Sequence, residues 1–285
     1  MPELDVPGFL RRVGIAHAEP PGVAALHRLH RAFAEHVPYE TVAIQLGHPT
    51  TVDPLESADR IVRRGRGGYC FHLNGAFAAL LTALGYQVTK HHAGIQLTPD
   101  HEQAITRNHL VLTVHGLSDT PWLVDVGLGD GLHSPLPLVP GTYRQGPFTF
   151  HLRPSEVTPG GWRFDHDPRG SLFGMDFVAQ PARMADFAER HEHLSTSPES
   201  SFTGTLGVLR TDADGFDILR ALTLSRIGER TTRTVLERRE DWFAALADVY
   251  GLTLSDLTPE DRDRLWRKVV GQHEQFLSRQ STVDV

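Results

Sequence analysis

The run Arg64-Gly-Arg-Gly-Gly-Tyr-Cys-Phe-His-Leu-Asn-Gly75 decides how this chain reads. Cys70, in its middle, is the only cysteine among 285 residues. Gly65, Gly67 and Gly68 lead into it. Beyond it Phe71, Ala76, Phe77, Ala79, Leu80, Leu81 and Leu84 recur at roughly helical spacing, and Gly85 stands where such a helix would stop. Cys70 is therefore expected in the first turn of a buried helix. There, unpaired N–H groups and the positive end of the helix dipole favour a thiolate. The glycines let the backbone approach a substrate closely. Without further context, the same cysteine reads first as an inert side chain ahead of a core helix.

Composition bounds the rest. The chain is 40% hydrophobic and 22% charged, with a net charge of −7, which is that of a globular protein and argues against a general nucleic-acid binder. A single cysteine excludes an internal disulfide and suits a reducing compartment. The N-terminal run has no apolar signal core, and no stretch approaches about 18 uninterrupted apolar residues. A cytoplasmic protein with no membrane partner is expected.

Residues 1–85 read as mostly helical. Gly22 to Val37 carries Val23, Leu26, Leu29, Ala32, Phe33 and Val37 on one side and ends at Pro38. Pro54 to Arg64 opens on proline and closes on arginines, as the dipole prefers. His17, His27, His30 and His36 read as surface or helix-packing residues, and no metal site is expected. From Gln87 the period changes to that of strands: Gln87–Ile95, His109–His115, Trp122–Leu128, Phe148–Arg153 and Gly161–Asp165, separated by turns. A compact β sandwich or barrel over about 86 to 180 follows. Pro135, Pro137 and Pro140 mark an irregular surface or binding loop within it. The last third is mixed. A helix is expected over Pro181–His193 and a meander over Phe202–Thr211, Gly215–Thr223 and Thr231–Glu237. Two helices follow, over Asp241–Tyr250 and from Pro259 to about Leu277.

A cysteine nucleophile needs a base, and the base needs a group to orient it. His109 opens one strand and Asp125 lies in the next. If the two pair antiparallel with odd residues opposite odd, both side chains face one side. Asp125 sits in an otherwise apolar run, where a carboxylate is costly unless paired. An imidazole partner would offset that cost and hold the histidine in one tautomer. Cys70, His109 and Asp125 then form a triad in chain order. With 17 histidines in the chain the spacing is weak by itself. His109 also reads as a satisfied strand histidine, and Asp125 as a carboxylate binding loop N–H groups.

Arg66-Gly-Gly-Tyr-Cys-Phe-His-Leu-Asn74 resembles the active-site motif of the arylamine N-acetyltransferases. Val37-Pro-Tyr-Glu-Thr41, Asn108-His-Leu-Val-Leu112, Val124-Asp-Val-Gly-Leu-Gly129, Ser195-Thr-Ser-Pro-Glu-Ser-Ser-Phe202 and Leu246–Leu254 resemble further motifs of that family, in the same order. The resemblance implies an α+β fold with a cysteine-protease-like core. Its parts would be a helical bundle over 1–85 carrying Cys70, a β-barrel over 86–195 carrying His109 and Asp125, and an α/β lid over 196–285. The implied reaction is ping-pong transfer from acetyl-CoA through acetyl-Cys70 to an arylamine or hydrazine, without a metal. Arg66 paired with Glu40, together with Asn74, would support the site. Asn108, Gly129, Gly131 and Phe202 would face CoA, and Phe71, Leu128 and Phe202 the acceptor.

The sequence departs from the family pattern at three places. His72 stands where Glu or Gln is usual and bears on the electrostatics beside the thiolate. Leu128 replaces a common aromatic and bears on acceptor choice. The Arg190-His-Glu-His193 run lacks the usual asparagine; without a third metal ligand its histidines read as a solvated helix end. Other readings are an amide synthase of the same family, which closes macrolactams with a carrier-bound acyl chain, a transglutaminase- or protease-like amidase, and an inactive binding module.

Overall fold

The computed structural model describes residues 3–283. Residues 1–2 and 284–285, the outer ends of the first and third expected units, lie outside it. The first 85 residues build α1 (Val6–Arg12), α2 (Val23–His36), β1 (Tyr39–Glu40), α3 (Val42–Leu46), α4 (Pro54–Arg64) and α5 (Cys70–Ala83). Local chemistry sets the boundaries. Asp53 accepts the Leu55 N–H at 2.8 Å, Pro54 starts α4 with no N–H to leave unpaired, and Gly65 ends it in the left-handed region at φ 63°. Helix α5 has no polar face, because it runs through the middle of the helical core. Phe71, Leu73, Phe77, Leu80 and Leu81 are all buried among Phe9, Leu26 and Phe33.

The next segment forms β2 (Gln87–Gln96), β3 (His109–His115), β4 (Trp122–Val124), β5 (Leu136–Pro137), β6 (Gly141–Gln145), β7 (Phe148–Pro154), β8 (Trp162–Asp165) and β9 (Gly174–Phe177). These make one eight-stranded antiparallel sheet in the order β5-β4-β3-β2-β9-β8-β7-β6, curled around Phe150, Phe164, Met175 and Phe177 into a nearly closed barrel. The seam is bridged by side chains. Gln145 accepts the His133 and Ser134 N–H groups, and the Tyr143 hydroxyl donates to the Val139 carbonyl. The expected proline loop therefore contains the short edge strand β5.

Helices α6 (Ala188–Thr196) and α7 (Ser201–Gly204) lead to β10 (Gly207–Thr211), β11 (Phe216–Arg220), β12 (Thr223–Ile227) and β13 (Thr231–Val235), then α8 (Arg239–Tyr250) and α9 (Pro259–Val283). This second sheet runs β1-β10-β11-β12-β13, so a strand from the helical segment forms one edge of it. Its one face packs Val208 and Leu219 against Trp242, Leu246 and Leu265. Its other face packs Leu209, Phe216 and Ile218 against the barrel. The whole is an α+β fold.

Four sequence expectations are corrected. The strand over Trp122–Leu128 stops at Val124, because the Asn74 and Asp125 side chains take the N–H groups of Val126 (3.0 Å) and Gly127 (2.8 Å) away from the ladder. The strand over Phe202–Thr211 begins only at Gly207, since Ser200 caps a helical turn at Phe202. The expected strand Gly215–Thr223 is split between β11 and β12 at Ala221, which adopts φ 48° while the buried Trp242 indole donates to its carbonyl at 2.9 Å. The helix over Pro181–His193 is a 3-10 turn, Met184–Phe187, followed by α6.

Candidate active site

Cys70 opens α5, with Tyr69 in an extended conformation as its N-cap. Two glycines deliver it. A Cβ on Gly67 would lie 1.8 Å from the Pro38 carbonyl oxygen, and one on Gly68 would run into His72. The Glu40 N–H donates to the Gly68 carbonyl at 2.9 Å, tying the approach to β1. Arg66 is buried and held from two sides: its Nε and Nη2 donate to Glu40 Oε1 (3.1 and 2.9 Å) and its Nη1 to Asp256 Oδ2 (3.1 Å). Glu40 Oε2 accepts the Val42 N–H at 2.6 Å. The guanidinium thus clamps β1, the glycine run and the loop before α9.

The barrel supplies the other two groups. Thr113 pairs with Leu123 and Leu112 with Val124, so odd residues oppose odd. His109 donates its Nε2–H to Asp125 Oδ2 at 2.6 Å, and both are buried. Cys70 is close enough for its sulfur to favour charge on the ring. Burial opposes charge on this imidazole, but Asp125 and Cys70 outweigh it and its pKa rises to about 10. Asp125 Oδ1 accepts from Gly127 N (2.8 Å) and from Asn74 Nδ2 (2.8 Å). Asn74 also donates to the Leu110 carbonyl at 2.6 Å, joining α5 to β3. Cys70 Sγ lies 3.7 Å from the Asn108 carbonyl oxygen.

Of the other candidates, Gly129 and Gly131 line a cavity with Tyr39, Asp125, Leu132 and Leu209. Gly129 sits at φ 82°, where a Cβ would lie 2.8 Å from Tyr39 and Leu209 carbons. Leu128 is buried against Gly131. Phe202 sits on α7 with its ring edge-on to Tyr69 (5.2 Å) and Tyr39 (6.4 Å). The Asn108 side chain accepts the Ile95 N–H at 2.9 Å, and Phe71 is fully buried against Tyr69 and Phe187.

Gly127 went unrecognised in the sequence although it lies inside the quoted Asp-Val-Gly-Leu-Gly run. A Cβ there would lie 2.8 Å from Cys70 Cα. The reading of His191 as a solvated helix end is corrected. It is buried, accepts the Tyr69 hydroxyl at 2.5 Å and donates to the Thr50 carbonyl at 2.7 Å. His72 accepts the Tyr69 N–H at 3.4 Å. Burial, then the charge of Arg60, holds its pKa well below the ordinary histidine value, so it brings no charge to the sulfur. No group of three or more His, Cys, Asp or Glu among the described residues is placed to hold a metal, and no described helix is long and apolar enough to cross a membrane.

A buried cysteine at a helix N-terminus, near a buried histidine held by a carboxylate, is an arrangement suited to thiol-based acyl-transfer chemistry. The chain belongs to the N-acetyltransferase family, whose profile matches residues 22–258. It is 28% identical over 270 residues to an arylamine N-acetyltransferase of Mycolicibacterium smegmatis, covering 90% of this chain and 95% of that one. It is 30% identical over 252 residues to the proansamycin X synthase of Amycolatopsis mediterranei, covering 85% and 95%. The Mycobacterium marinum arylamine N-acetyltransferase solved in complex with CoA superposes with a TM-score of 0.82 at 26% identity, covering 93% and 98%.

Proposed function

We propose that this chain transfers an acetyl group from acetyl-CoA to an arylamine or hydrazine through an acetyl-Cys70 thioester. The single observation that carries this is the buried His109 held by Asp125 at 2.6 Å beside Cys70 at the start of α5. The Cys70 thiolate attacks the thioester carbonyl, the carbon–sulfur bond to CoA breaks, and the departing CoA sulfur takes the proton from the His109 imidazolium. The amine nitrogen then attacks acetyl-Cys70, gives its proton to the now neutral His109, and expels the thiolate. The resting pair is restored. Backbone N–H groups at the start of α5 face the tetrahedral oxyanion. Asn74 and the Arg66–Glu40 pair position the three reacting groups. The helical, barrel and C-terminal segments act as bundle, barrel and lid of a cysteine-protease-like core, divided near residues 85 and 195, in a cytoplasmic enzyme without a metal.

Intact-protein mass after mixing with acetyl-CoA tests the reading. One acetyl group is expected on Cys70, lost when an arylamine is added, and none on Cys70→Ser. Full turnover by that variant would rule the mechanism out. A second reading has its own support. The similarity to proansamycin X synthase, together with Leu128 in place of an aromatic, suits an amide synthase that takes its acyl chain from a carrier. No acetyl gain while Cys70 remains alkylatable would favour it.

A further inference from the structure

Tyr69 is the one side chain between Arg66 and Cys70, because Gly67 and Gly68 have none. Arg66 is committed to Glu40 and Asp256. As N-cap of α5, Tyr69 is joined directly to Cys70, and the first N–H groups of a helix lack partners within it. Behind Cys70, α5 is held by the packed helical core. Ahead of Cys70, whatever fixes the Tyr69 side chain fixes the end of the helix from which the sulfur projects.

That side chain is buried, and its polar end has a single bond. The hydroxyl donates to His191 Nδ1 at 2.5 Å, and His191 Nε2 donates to the Thr50 carbonyl at 2.7 Å. The Tyr69 and His191 rings lie nearly parallel, 7° apart with centroids at 5.9 Å. Burial, then the charge of Cys70, raises the phenol above its ordinary range, so the hydroxyl keeps the proton it donates. His191 is braced in turn, since the Ser195 hydroxyl donates to its carbonyl at 2.8 Å. One buried imidazole on α6 thus bridges the start of α5 and the loop before α4. The acyl-transfer steps use neither Tyr69 nor His191.

We propose that His191 is a positioning residue: through the Tyr69 hydroxyl it sets where the Cys70 sulfur stands relative to His109. This rests on the acetyl-Cys70 reading and deepens it, by giving the nucleophile a second support on the side away from the barrel. Aromatic packing alone would not do this. Phe71, His72 and Phe202 surround the Tyr69 ring, but ring contacts tolerate sliding and tilting, whereas a hydrogen bond fixes direction and its loss leaves a buried hydroxyl unpaired. Small displacements matter here, because a shift of about 1 Å in a reacting group can cost about 100-fold in rate.

The test reads single-turnover acetylation of Cys70 over a range of acetyl-CoA concentrations. Tyr69→Phe and His191→Ala should each lower the saturating rate roughly tenfold, the scale of one lost hydrogen bond, and leave the half-saturating concentration unmoved. The double variant should be no slower than either single one, because both remove the same bridge. His191→Asn, whose amide oxygen can accept the Tyr69 hydroxyl, should recover most of the rate. Single effects that multiply to roughly 100-fold, full rates in both, or a change confined to the half-saturating concentration would overturn the proposal and leave the acetyltransferase reading intact. An unaltered enzyme that acetyl-CoA does not acetylate would sink that reading and this one with it. Tyr69→Phe keeps the ring and its packing, so if His191→Ala fails to fold, the rate of Tyr69→Phe decides.

Discussion

Two histidines flank Cys70, and they have opposite fates. His109 is 2% exposed and His72 is 3% exposed, so burial treats them alike. His109 has Asp125 at 2.6 Å and titrates near 10. His72 has the Tyr69 N–H, the edge of the Tyr69 ring and the His191 ring, and stays neutral far below the usual range. A buried imidazole takes its charge from its partner and not from its depth. The barrel side of the nucleophile is thus an ionic assembly, while the other side is an uncharged aromatic cap that shapes the start of α5.

Asp125→Asn breaks this difference most directly, because it removes the carboxylate and makes His109 resemble His72. We expect Cys70 acetylation to slow by about 10⁴-fold, the scale seen when a triad histidine loses its orienting carboxylate. The stability side has a definite sign. His109 has a folded pKa raised above the unfolded value of about 6.5. Its contribution is complete below 6.5 and is lost as the pH rises through about 10. The gap in unfolding free energy between the natural chain and Asp125→Asn should therefore narrow across that window. A constant gap would mean that His109 is not charged in the fold.

Gly127→Ala sharpens the comparison by moving the nucleophile while sparing every ionisable group. The new Cβ would lie 2.6 Å from Asn74 Nδ2, 2.8 Å from Cys70 Cα and 3.0 Å from Cys70 Cβ. Two of the three sit on the first residue of a helix packed on all sides, so the contact cannot be relieved cheaply. About 1–3 kcal/mol of stability should go, and acetylation should fall by about 100-fold for a shift near 1 Å. Normal rates with a lowered melting temperature would show that the loop yields instead of Cys70.

The ionic side was the more legible in sequence. Cys70 stood alone behind a glycine run, strand alternation made His109 and Asp125 candidates, and the family resemblance of their flanking motifs singled them out. The cap was not legible. Tyr69 and His191 are 122 residues apart and meet only because α6 folds back over the start of α5. His191 lies in a polar run that reads as solvent-facing. Strand limits failed for a related reason. Asn74 helps end β4 with a side-chain hydrogen bond across the helix–barrel boundary, and Ala221 is left-handed where Trp242 from α8 holds its carbonyl. The Ala221 turn carries no glycine, asparagine or proline to announce it. What was visible rested on period and local chemistry, and what was hidden depended on partners distant in the chain.

The cap makes the smallest of these predictions, and its sign is opposite to that of His109. His72 has a folded pKa below its unfolded value. The unfolded chain takes up a proton near 6.5 that the folded chain refuses, so stability is present above that pH and declines as the solution is acidified. Each such histidine costs about 1.4 kcal/mol per pH unit once the pH is well below 6.5. His30 and His91, both held down to about 4 chiefly by burial, add to the decline of the natural chain. His72→Gln keeps a polar side chain beside the Tyr69 N–H but cannot be protonated. Urea unfolding at pH 7, 6 and 5 should show a shallower loss for this variant, by no more than about 2 kcal/mol at pH 5. Parallel curves would show that His72 binds its proton as readily in the fold as in the unfolded chain. The cap would then be wet and charged, and the contrast with His109 would fail at its neutral end.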